Sequence, residues 1–79
     1  MIRPVSSEKA VKLIDLENTI VFEVARRSSK EDIKKEVSSL LGVKVDSLRT
    51  LIRNNKKYAY VRFDKSVQAA DVASKMGMM

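Results

Sequence analysis

RTLIRNNKKYAYVRFDK, residues 49–65, is the stretch on which the fold turns. Its halves read as two strands joined at Asn54-Asn55, because asparagine tolerates the positive φ of a tight reversal. From Lys56 to Asp64 the alternation sets Ala59, Val61 and Phe63 on one side and Tyr58, Tyr60 and Arg62 on the other. One face is therefore apolar and core-directed, and the other is polar. The preceding strand, 43–52, slips in parity. Val43 and Val45 are apolar at odd positions, Leu48 and Ile52 at even ones. A bulge or twist near Asp46-Ser47 reconciles them.

Working outward, the most regular element is a helix after Ser29. Ile33, Val37, Leu40 and Leu41 form an apolar stripe at helical spacing, and Gly42 supplies a left-handed stop. Ser29 with Asp32 resembles a capping box, with Ser28 and Glu31 as an alternative register. Before it, TIVFEVA (19–25) is rich in β-branched residues and reads as a strand. Ile20, Phe22 and Val24 face one way; Thr19, Val21 and Glu23 make a half-polar face. Further upstream a helix is expected over 7–16, with Ser6 or Ser7 as its cap and Glu8 in its first turn. Pro4 holds Arg3 extended, which allows a short edge strand at the start. A last helix is expected over 67–76, with Ala69, Val72, Ala73 and Met76 inside and Gly77 as the stop. The fold class is α+β: three helices on a small, mostly antiparallel sheet of three main strands plus that edge strand, in β-α-β-α-β-β-α order. The strand at 56–64 is expected between the other two main strands.

The 79 residues make one small domain without cysteine or histidine. Thiolate and imidazole zinc sites, cysteine nucleophiles and histidine bases are thereby excluded. No cofactor and no enzymatic activity are expected, since there is no phosphate-cradling glycine loop and no recognisable acid pair. No apolar run reaches the length of a membrane span, and the first ten residues lack the apolar core of a signal peptide, so a cytoplasmic protein without membrane insertion is expected.

Charge points to a polyanion. Sixteen basic residues face ten acidic ones. Of the net +6, residues 49–65 carry +5, from Arg49, Arg53, Lys56, Lys57, Arg62 and Lys65 against Asp64. Cations neutralise phosphates and release counterions, and flat rings stack on bases. Arg49, Arg53, Asn54, Lys56, Lys57 and Arg62 are thus the leading RNA-binding candidates, joined by Thr50, Asn55, Tyr58 and Tyr60. Arg3, Arg26 and Arg27 form a second group, followed by Lys30 and Lys34 on the helix.

KKYAYVRF, 56–63, resembles the first ribonucleoprotein signature of RNA-recognition motifs at seven of eight positions, counting the wild card. Lys57 replaces the glycine, and the companion segment Val21-Phe22-Glu23-Val24-Ala25-Arg26 fits poorly. A domain binding single-stranded RNA is the alternative this implies. A longer, ordered resemblance spans about 70 residues. It runs through Arg3-Pro4, Ser7-Glu8-Lys9-Ala10, Asn18-Thr19-Ile20-Val21-Phe22, Arg26-Arg27-Ser28-Ser29-Lys30, Ile33-Lys34-Lys35, Leu41-Gly42-Val43-Lys44-Val45, Thr50-Leu51, the Lys-Lys-Tyr-Ala-Tyr-Val run and Ala70-Asp71-Val72-Ala73. Together they resemble the universal large-subunit ribosomal protein twenty-three family in its short archaeal form.

That resemblance implies a ribosome-bound structural protein, monomeric off the ribosome. It implies binding to the third domain of large-subunit rRNA at the tunnel exit, beside ribosomal protein twenty-nine. It also implies a docking point for nascent-chain factors such as the signal recognition particle. In bacterial members the acid of the Ser-Glu-Lys motif docks trigger factor, and Glu8 occupies that position. Two departures stand out. Arg49 replaces the family's usual asparagine, and the Asn54-Asn55 turn lacks the long bacterial extension that reaches into the tunnel wall.

Overall fold

Among the described residues, three helices and four strands follow one another as β1 (Ile2–Pro4), α1 (Glu8–Glu17), β2 (Thr19–Val24), α2 (Lys30–Leu41), β3 (Val45–Arg53), β4 (Lys56–Phe63) and α3 (Ala69–Lys75). The computed structural model describes residues 2–76. The strands form one sheet in the order β1-β2-β4-β3, each pair antiparallel. β4 lies between β2 and β3, as expected. Because α2 returns the chain across the sheet, β2 and β3 run the same way, and β4 pairs antiparallel with both.

The slip of parity in β3 is a real irregularity. Val45 pairs with Phe63 but Ser47 with Arg62, and the register shifts between them. Beyond the shift, Leu48 lies opposite Val61 and Thr50 opposite Ala59. The bulge thus returns even-numbered residues to the covered side. The strand starts at Val45 rather than 43. At its other end Arg53 pairs with Lys56, and Asn54 and Asn55 both take positive φ, 52° and 63°. That is the requirement of a two-residue hairpin whose turn matches the strand twist.

One face of the sheet is closed. Ile20, Phe22 and Val24 of β2 and Ala59, Val61 and Phe63 of β4 pack with Ile33 and Val37 of α2 and Ala69, Val72 and Ala73 of α3 in a single apolar cluster. Burying each of the larger side chains contributes about 1.5–3 kcal/mol. The opposite face of β2 departs from expectation. Thr19 and Val21 are only 7% and 4% exposed, because α1 packs against β2. Thr19 is tolerated there because its hydroxyl donates to the Glu17 carbonyl at 2.9 Å.

The helix ends follow local chemistry with one exception. Ser7 Oγ accepts the Ala10 N–H at 3.2 Å. Ser29 and Asp32 complete the capping box, the short aspartate giving a long return bond of 3.5 Å. Gly42, at φ 64°, closes α2 through its N–H to the Ser38 carbonyl at 2.8 Å. The exception is α3, which begins at Ala69, two residues later than expected. The Asp64 carboxylate accepts both the N–H and the hydroxyl of Ser66 at 3.0 Å, committing the segment to a turn. The Ala69 N–H is then capped from 51 residues away by Asn18 Oδ1, at 2.7 Å. Asn18 itself is left-handed at φ 53°. Its Nδ2 donates to the Val67 carbonyl at 2.8 Å and lies 3.3 Å and 3.4 Å from those of Phe63 and Asp64. One amide thereby ties α1, β4 and α3 together. The expected stop at Gly77 lies outside the described residues.

Candidate nucleic-acid interface

Pairing decides which side chains share a face. Tyr60 lies opposite Arg49 and Val21, Tyr58 opposite Leu51 and Glu23, Arg62 opposite Ser47 and Thr19, and Lys56 opposite Arg53. Arg3 on β1 lies opposite Glu23. By the alternation of strands these residues all sit on the face away from α2 and α3. That face gathers Arg3, Arg49, Arg53, Lys56 and Arg62, all exposed, around half-buried Tyr58 and Tyr60. Most candidates from residues 49–62 therefore share one surface, with four exceptions in placement. Asn54 and Asn55 form the hairpin tip, and Thr50 belongs by register to the covered face.

Lys57 is the fourth exception. It lies opposite Val24 and Ile52, on the helix-covered side. Its ammonium donates to the Ser28 carbonyl, so it ties β4 to the loop that carries Arg26 and Arg27. Both arginines are exposed in that loop, and Lys30 follows at the first turn of α2. Lys30 and Lys34 border a shallow hollow against Val45 and Leu48. They form a second basic region, separate from the open face.

Two contacts shape the open face. The Arg49 guanidinium carbon stands 5.5 Å from the Tyr60 ring centroid, a cation–π geometry worth about 0.5–1 kcal/mol at an exposed site. It sets the guanidinium over the ring, on the exposed side of the sheet. Arg3 Nη2 lies 3.2 Å from Glu23 Oε1. With the arginine side chain 71% exposed, such a pair contributes little to stability. Glu8 lies apart, 89% exposed, with its carboxylate 4.0 Å from the Lys12 ammonium one turn on.

Two residues of this region were not singled out as binding candidates. Lys9 and Leu51 border a groove between α1 and the tyrosines. In the sequence Lys9 stands within the Ser7-Glu8-Lys9-Ala10 run and Leu51 within the Thr50-Leu51 pair, neither with a binding role. Their meeting depends on where α1 lies on the sheet. Among the described residues no three or more acidic side chains cluster to hold a metal ion, and no helix is long and apolar enough to cross a membrane.

The arrangement is a basic surface with two half-buried aromatic rings, built on an antiparallel sheet. A family model described as ribosomal protein L23 matches residues 1–76. The match covers the whole of the described fold, including the open face and the loop carrying Arg26 and Arg27. The chain belongs to the ribosomal protein L23 family, whose members are structural proteins of the large ribosomal subunit.

Proposed function

We propose that the open face of the sheet binds large-subunit rRNA and holds the domain in the ribosome. The observation that carries this reading is the gathering of Arg3, Arg49, Arg53, Lys56 and Arg62 on one surface around two tyrosines. Phosphate contacts position such a protein, and RNA shape decides where it settles. The β3–β4 tip adds Asn54 and Asn55 as amide donors, whereas Thr50, opposite Ala59 on the covered face, lies outside this contact. Arg26, Arg27, Lys30 and Lys34 make a second contact beside the first, with Lys57 bracing their loop through Ser28.

Family membership supports the finer reading: the RNA is the third domain, at the tunnel exit, with ribosomal protein twenty-nine as neighbour. The exposed N-terminus of α1 then presents Glu8 to factors such as the signal recognition particle. The test is binding of the purified chain to a transcript of that RNA domain, competed by a short single-stranded oligonucleotide. Preference for the folded domain supports the reading. Equal binding to the oligonucleotide replaces it with single-strand recognition, and no binding to either removes the RNA interface altogether.

A further inference from the structure

The groove between α1 and the open face has a volume of about 320 Å³. That is the small end of the roughly 300–1,000 Å³ typical of ligand pockets, enough for one flat ring system and its attached group. Its base is apolar, with Ala10 and Val21 buried and Leu13 half-buried. Tyr58 and Tyr60 form a wall, and Lys9 and Arg53 border it as exposed cations. The two rings are not equivalent: Arg49 stands over Tyr60 and not over Tyr58.

We infer that this groove seats one unstacked nucleotide of the bound RNA, its base against Tyr58 and its phosphate held by Lys9 and Arg53. The inference rests on the RNA-binding reading above and adds the chemistry of one contact. Charge complementarity selects the occupant. A nucleotide couples a flat, largely apolar ring to an anion, matching an apolar base bordered by cations. An apolar peptide side chain would satisfy only the base of the groove. The site is sequence-tolerant, because every base offers a π-face.

The chain supplies its own reporter. It contains no tryptophan and two tyrosines, both in this groove. Tyrosine emission, corrected for absorption by RNA, is followed while the full chain is titrated with the rRNA-domain transcript. Quenching in step with binding is expected. Tyr58→Leu, which keeps apolar volume but removes the ring, weakens binding about 5- to 150-fold while leaving the salt slope unchanged. Leu13→Phe, which narrows the groove without touching a cation, weakens binding in the same sense. Thermal unfolding of each variant confirms that it is folded. Full binding with unchanged emission and wild-type affinity for Tyr58→Leu overturns the nucleotide seat but leaves the RNA interface standing. No RNA binding at any salt overturns both.

Discussion

The two faces of the sheet are made from the same strands and solve opposite problems. One is dry: Phe22, Val61 and Ile33 are fully buried, and its interior carries no cation. The other is wet over most of its area. Arginines stand in alternate positions, Tyr58 and Tyr60 are half-buried, and Val21 and Thr19 are withdrawn from water beneath α1. Their difference sorts core residues from surface cations by residue parity. Even positions of β2 and odd positions of β4 hold the domain together. Odd positions of β3 and even positions of β4 form the open face, which is proposed to meet RNA.

The largest effect belongs to the closed face. Phe22→Ala removes a fully buried ring and should cost about 3–5 kcal/mol. A domain of this size has little margin, so urea unfolding should show a variant largely unfolded in buffer. A loss under 1 kcal/mol would mean that the closed face is not the stabilising one.

Asn18 sits at the joint between the faces and comes next. Asn18→Ala strands the Ala69 N–H and the Val67 carbonyl and puts alanine at φ 53°. The expected loss is about 2–4 kcal/mol in the same unfolding experiment. Asn18→Gly should recover the backbone part of that loss and none of the capping part.

Arg49→Ala sharpens the contrast from the other side. Stability should change by no more than about 1 kcal/mol, the worth of its contact with Tyr60. Affinity for RNA should fall, and the slope of log K against log salt should flatten by roughly 0.7–0.9. A large stability loss with unchanged RNA affinity would reverse the assignment of the two faces.

The smallest effect is one of pH. The N–H of Ser66, then its hydroxyl, followed by the charges of Lys44 and Lys65, hold the Asp64 carboxyl below its usual value of 3.8. A group whose folded pKa is depressed contributes stability above its unfolded pKa, and that contribution is lost as pH falls through the folded value. Stability should therefore decline slightly below about pH 4, and Ser66→Ala should raise the Asp64 pKa measured by NMR. An unchanged pKa in that variant would mean that the hydroxyl adds nothing and the Ser66 N–H alone holds the carboxylate.

Much of this was legible in local sequence. The alternation of Ile20, Phe22 and Val24 against Thr19, Val21 and Glu23 oriented β2, and the conflict between Val45 and Leu48 located the bulge. Asn54-Asn55 marked the hairpin, and Ser29, Asp32 and Gly42 marked both ends of α2. Long-range chemistry was not legible. Gln68 makes no side-chain cap at the start of α3; the cap comes from Asn18, which no local rule connects to it. Lys57 read as one more cation of a basic run, yet its ammonium points to a loop on the helix-covered side. The burial of Thr19 and Val21 depends on the docking of α1, which periodicity within one strand cannot report.

The most direct measurement compares the salt dependence of rRNA-domain binding for the native chain and for the triple variant Arg49→Ala, Arg53→Ala, Arg62→Ala. All three side chains project from the open face and none is buried. An RNA-binding open face predicts a slope shallower by about 2–3 units and a markedly lower affinity, with cooperative unfolding preserved. A triple variant that binds with native slope and affinity would contradict it and move the RNA contact to the loop and helix carrying Arg26, Arg27, Lys30 and Lys34.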